Sequence, residues 1–178
     1  MRARDAYHAR VTARGENETL YSRRGIPWVL AALALAACAS QPPKPVQTQA
    51  TLIASAEVNP DSEGRPSPVV VRIYQLRGDA AFNDASFFAL YDNDKATLGQ
   101  DLIMQDERTL FPGQRVPLNL ALAPDARFLG VIAAYRDIRS SRWRAVVGVP
   151  EKSLLKLLAK RRVSVQIGKD AVTIAVTD

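Results

Sequence analysis

Twelve uncharged, largely apolar residues, Ile26 to Ala37 (IPWVLAALALAA), stand between Arg24 and the chain's single cysteine, Cys38. A helix needs about 20 apolar residues to cross a hydrocarbon core, so this run is too short to span one. It fits the roughly 7–15 residue apolar region of a secretory signal, with Arg23 and Arg24 as the positive flank. Residues 1–37 are therefore expected to be a signal, and the folded domain is sought after them.

The residues Leu35, Ala36, Ala37 and Cys38 resemble the bacterial lipobox, a leucine, two small residues and a cysteine. The resemblance implies a lipid on the Cys38 sulfur and cleavage just before it. A thiolate is the nucleophile that can accept the lipid, and small neighbours admit an extended chain to the peptidase. The competing reading is a buried cysteine closing a short core helix. The arginines, the spacing and the polar continuation favour the anchor. Residues 1–22 make a long positive region, and SRRGIP (Ser22 to Pro27) is a partial twin-arginine match, yet the ordinary Sec route is favoured. Ala39 and Ser40 follow the cysteine, with no aspartate there. By the sorting rule of such lipoproteins this implies the outer membrane.

Removing the signal changes the charge argument. It carries six of the 24 basic and three of the 18 acidic residues, leaving +3 in place of the full chain's +6. The basic pI is partly a property of the signal, so no nucleic-acid partner is read from it. His8, the only histidine, is also lost, and the one thiol is lipidated. Ser-His-Asp and Cys-His catalysis are excluded, and a zinc site would rest on carboxylates alone, which is unusual. No metal or cofactor is expected. Carboxylate-pair glycoside chemistry stays open on composition.

About 140 residues remain, enough for one domain with a real core. Residues 38–50 are expected as the lipidated cysteine and a tether, since Ser40 to Gln49 (SQPPKPVQTQ) holds three prolines and no apolar cluster. Ten such residues in extended polyproline form would reach roughly 30 Å. Residues 51–178 then show mostly two-residue periodicity. Strands are expected over Thr51 to Val58, Val69 to Leu76, Val116 to Leu122, Arg127 to Tyr135 and Arg142 to Val149. A closing hairpin is expected around Gly168-Lys169-Asp170. Phe111 to Gln114 (FPGQ) suits a type II turn. Many short strands joined by polar turns point to a mainly β fold, an antiparallel sandwich.

From Asn83 to Met104 the apolar spacing turns helical. Asp84 or Ser86 can cap one short helix carrying Phe87, Phe88, Leu90 and Tyr91, and Asp94 a second carrying Leu98, Leu102 and Ile103. A helical insert at about 83–104 is expected, its aromatics packed on a sheet. Glu151 to Arg162 (EKSLLKLLAKRR) reads either as a membrane-surface helix or as a capped turn between strands.

Four stretches in order carry a wider resemblance: Asn59 to Leu76, Phe82 to Asp94, Leu110 to Gln114 and Phe128 to Trp143. With the lipobox they resemble the TssJ lipoprotein family of the type VI secretion system. The resemblance implies a transthyretin-like sandwich with an added helical element, lipid-anchored at the periplasmic face of the outer membrane. It implies a non-catalytic role: binding the periplasmic C-terminal region of TssM, which shares its complex with TssL, so as to anchor the secretion membrane complex. It also places much of that contact on the loop between the first two strands, here Asn59 to Pro68. Candidate partner-binding residues are Asn59, Asp61, Ser62, Glu63, Gly64 and Arg65.

That loop suits recognition on physical grounds as well. Pro60, Pro66 and Pro68 reduce the ordering entropy of binding, and Asp61, Glu63 and Arg65 offer charge-assisted hydrogen bonds. An ordinary solvated connection is the bland alternative. Two other functions stay in view. One is a transthyretin-like small-ligand carrier, which needs an apolar pocket between the sheets. The other is a carboxylate-based envelope enzyme, although Asp84, Asp92, Asp94, Asp101, Asp106 and Glu107 fall where turns and caps explain many of them.

Overall fold

The computed structural model describes residues 44–149 and 162–177. Two four-stranded sheets face each other. One has the order β4-β1-β7-β8 and the other β3-β2-β5-β6. The strands are β1 (Val46–Ala54), β2 (Val69–Leu76), β3 (Leu102–Leu110), β4 (Arg115–Leu122), β5 (Phe128–Ala133), β6 (Arg144–Gly148), β7 (Arg162–Ile167) and β8 (Val172–Thr177). The expected sandwich is there, with one mixed sheet. β1 and β7 run parallel, while the other ladders are antiparallel. A parallel pair needs a long crossover, and here the whole second sheet lies between the two strands in sequence.

The first strand starts earlier than the sequence suggested. β1 takes Val46 to Gln49 from the stretch read as tether and ends at Ala54, short of Val58. Thr48, Ala50, Leu52 and Ala54 are its buried face. Two of these are alanine and one threonine, so the alternation carries little hydrophobic contrast and the polyproline reading ran past Pro45. After Ala54 the chain turns away, with the Glu57 N–H donating to the Ser55 hydroxyl at 3.2 Å.

β2 has the strongest strand signature, and it is buried on both sides. Val69, Val71 and Ile73 face the other sheet and join Leu52, Leu110, Val131 and Ile167 in the main core. Tyr74 and Leu76 face outward into a second core with Phe82, Phe87, Leu90, Leu98 and Ile132. The insert supplies that cover through α1 (Ala80–Asp84) and α2 (Phe87–Leu98). Ser86 caps α2 by accepting the Ala89 N–H at 3.2 Å. The expected division into two helices survives as a kink at Asn93, after which the Asp94 carboxylate accepts the Lys95 N–H at 2.7 Å.

The second helix is shorter than expected, and Leu102 and Ile103 belong to β3. Gly99 stops the helix at a φ of 51°, a conformation that glycine adopts without the Cβ penalty. β3 escaped the sequence reading because it is an edge strand with a polar middle, and Asp106 and Glu107 lie in that strand rather than in turns. The insert is fastened by arginines. Arg72 donates to Glu107 Oε2 at 2.6 Å and to the Tyr91 carbonyl at 2.5 Å, while Arg144 donates to the carbonyls of Phe82 and Ala85 at 3.1 and 2.8 Å.

The ladders define two poles. Val46 pairs with Leu122 at one end of β1, and Ile53 with Arg115 at the other. Four loops gather at that second pole: residues 55–68, 111–114, 134–143 and 168–171. They are tied together by Gly113 N–H to Ser55 O (3.0 Å), Ser55 N–H to Ile167 O (2.9 Å) and Arg142 N–H to Asp170 O (2.9 Å). Gly113, at φ 74°, gives the Pro112-Gly113 turn the geometry its sequence called for. Residues 151–161, most of the third candidate helix, lie outside the described residues, and Arg162 opens β7.

Candidate functional site

At the four-loop pole, the loop leaving β1 is braced from within. The Asp61 carboxylate accepts the N–H groups of Glu63 and Arg65, each at 2.9 Å, and the Arg65 Nε–H at 2.8 Å. The Asp61 N–H donates to the Arg65 carbonyl at 2.9 Å, and Gly64 supplies the turn with φ 78°. Arg65 also pairs with Glu63 at 3.0 Å. Hydrogen bonds from Arg65 hold the Asp61 carboxyl below its ordinary value of 3.8. The sequence put two acids and one arginine in five residues, and the fold spends them largely on one another. Ser62, Glu63, Gly64 and Arg65 are exposed and Asp61 half-buried, so these five are presented to solvent on a stiff tip.

Asn59 has a different part. It is only 4% exposed and sits at φ 50°, the left-handed region that asparagine tolerates better than most residues. Its Nδ2 donates to the Pro68 carbonyl at 2.7 Å, closing the base of its own loop. Its Oδ1 accepts the Arg136 N–H at 2.8 Å, and its N–H donates to the Lys169 carbonyl at 3.0 Å. Both ends of the amide are spent inside the chain. Asn59 shapes the site by holding its loops together.

The joining of these loops leaves a groove of about 600 Å³ walled by Asn59 to Ser62, Tyr135 to Asp137, Ser140, Ser141, Lys169 and Asp170. Asp137 accepts the Ser140 N–H at 3.3 Å, and its carboxyl is held low by Ser140. The Tyr135 hydroxyl donates to the Gly168 carbonyl at 3.2 Å, and burial pushes that phenol up. The sequence reading nominated only one wall. The others come from residues 73 or more positions later, and the signal available for them was the polar run Arg136 to Ser141 between two strands. Phe111, 57% exposed, stands in the turn at the same pole.

A void of about 10 Å³ lies between the sheets beside Thr48, Leu122 and Val163, room for about one water. A small-ligand carrier would need hundreds of cubic ångströms. Among the described residues no group of three or more His, Cys, Asp or Glu side chains could hold a metal ion. Asp94 and Glu107, weighed above as candidate acids, both pair with Arg72, at 3.8 and 2.6 Å. Cys38 lies outside the described residues.

Comparison with known proteins agrees with the architecture. Residues 46–177 match the family described as "Type VI secretion lipoprotein, VasD, EvfM, TssJ, VC_A0113". The T6SS lipoprotein TssJ1 from Pseudomonas aeruginosa is 34% identical with a TM-score of 0.68, over 75% of this chain and 98% of that one. Serratia marcescens Lip, a membrane-bound component of the type VI secretion system, is 30% identical with a TM-score of 0.63, over 74% of this chain and 96% of that one. A structure described as the T6SS protein TssM C-terminal domain (869–1107) from EAEC holds a chain 27% identical with a TM-score of 0.57, over 72% of this chain and 97% of that one. No curated protein matches the chain. With its β-rich double sheet and the family match over residues 46–177, this chain belongs to the TssJ family of type VI secretion lipoproteins.

Proposed function

We propose that the protein is a non-catalytic adaptor, held to the periplasmic face of the outer membrane by lipid on Cys38 and binding the periplasmic C-terminal region of TssM. TssM shares the complex with TssL, so the adaptor anchors the whole secretion membrane complex. The observation that carries this reading is the opposition of the two poles. Val46, eight residues after Cys38 in sequence, begins β1, and the braced loop leaves from its far end. Nine residues at about 3.3 Å each separate them by roughly 30 Å, so the loop lies at the far end of β1 from the residue where the domain begins. A stiff tip costs little entropy on binding, and Phe111 in the turn at the same pole is an exposed aromatic of the kind that anchors interfaces.

The EAEC comparison supports the same partner. The matched chain there is about as long as the present domain, well short of the span 869–1107, which fits a TssJ-like chain held together with TssM. The test is titration of the TssM periplasmic region with the detergent-purified lipoprotein, wild type and lacking Asp61 to Arg65. Wild type binds, and the deletion weakens binding while the unfolding transition stays. Equal affinity of the two would remove the loop from the interface.

A further inference from the structure

The charged groups at the four-loop pole are not equally committed. Asp61 is engaged by Glu63 and Arg65, Glu63 by Arg65, and Asp137 by Ser140. Arg136 and Lys169 both line the groove, and neither side chain has a hydrogen-bond or ion-pair partner among the described residues. Their backbones are fixed to one residue: the Arg136 N–H donates to the Asn59 side chain at 2.8 Å, and the Lys169 carbonyl accepts the Asn59 N–H at 3.0 Å. Two cationic residues 33 positions apart in sequence are thereby held through their backbones by one buried residue, Arg136 on its side chain and Lys169 on its backbone N–H. Ser62 and Ser140 stand in the same walls, as do the carboxylates of Asp61, Asp137 and Asp170; Asp61 and Asp137 are already engaged within their own loops, and the charge of Arg136 adds to the lowering of Asp61.

We infer that the groove receives an acidic segment of the protein partner, with a carboxylate seated between Arg136 and Lys169. This rests on the TssM reading above and deepens it by naming the chemistry recognised. Steering at long range is not the mechanism. Loops 55–68, 134–143 and 168–171 hold five basic and five acidic residues, so their formal charges cancel. The attraction acts at contact distance, where a charge-assisted hydrogen bond is about twice as strong as a neutral one, and it governs how long the complex lasts.

The test uses the full lipoprotein in detergent and the periplasmic C-terminal region of TssM, with affinity measured at low and high salt. Arg136→Glu combined with Lys169→Glu weakens binding roughly thirty-fold or more, the range for breaking close charge pairs. Arg136→Lys combined with Lys169→Arg keeps affinity within about three-fold and keeps the salt dependence. Circular dichroism and thermal unfolding confirm that both double variants are folded. Affinity unchanged by the double reversal overturns the inference, and if the Asp61 to Arg65 deletion still abolishes binding, the TssM reading stands without it. Absence of wild-type binding overturns both. Binding of the wild type, lost on double reversal, to phosphatidylglycerol vesicles but not to TssM would assign the groove to a lipid headgroup and likewise overturn it.

Discussion

The Asn59 side chain accepts the backbone N–H of Arg136, 77 residues later in the chain, at 2.8 Å. That single bond joins the loop after β1 to the loop after β5, and the same amide closes the first loop on Pro68. Two walls of the groove are thus joined by a residue that barely reaches solvent.

Asn59→Ala should therefore destabilise the fold by about 2–4 kcal/mol. It leaves a buried carbonyl and N–H unpaired and puts a Cβ-bearing residue without local hydrogen bonding in the left-handed region. Urea denaturation measures this. Asn59→Asp, which keeps the acceptor and loses the donor to Pro68, should fall between the two.

The bracing of Asp61 makes the loop tip sensitive to acid. Its folded value lies below the ordinary 3.8, so the bracing is fully present above 3.8 and is lost as pH falls through the folded value. Amide shifts of Glu63 and Arg65 should move together in that acidic window while strand amides stay. Asp61→Asn should remove the transition.

Gly130 on β5 lies under the Phe82 ring, and a Cβ added there would meet ring atoms at 2.8 to 3.1 Å. Gly130→Ala should cost about 1–3 kcal/mol by overpacking, read as a lower unfolding midpoint. Adding Phe82→Leu should recover part of the loss, because the clash is with the ring and not with backbone.

Arg72 fastens α2 to the sheet through Glu107 and the carbonyls of Leu90 and Tyr91, with its guanidinium 4.4 Å from the Tyr91 ring. Arg72→Met should loosen the insert by about 1.5–3 kcal/mol. Hydrogen exchange should accelerate in Phe87–Leu98 and leave β1 and β7 protected.

Cys38→Ser removes the acceptor of the proposed lipid. The protein should leave the outer-membrane fraction and secretion should stop. An unmodified thiol on a protein that still fractionates with the outer membrane would refute the anchor.

Much of this fold was legible where burial writes a strong pattern. Val69 to Leu76 alternates with a β-branched or aromatic residue at most positions because both its faces are covered. β3 was illegible because an edge strand half in solvent carries Asp106, Glu107 and Arg108 with no penalty. The start of β1 was obscured by small buried residues beside prolines. The site was half legible. Prolines and paired charges marked Asp61 to Arg65, but no local pattern says that Arg136 and Lys169 will meet at Asn59. Long-range hydrogen bonds assemble that wall, and sequence spacing does not record them.

The opposition of Val46 and the braced loop has a mechanical side. β1 is an interior strand, with eight residue pairs to β4 on one side and six to β7 on the other. With lipid on Cys38 and a partner on the loop, as proposed, a pull between them would run along this strand, across ladder bonds that lie transverse to it. The load is shared by both ladders in shear and does not peel them open one bond at a time. On the proposed function, a single strand of nine residues would be the tension member between lipid and partner.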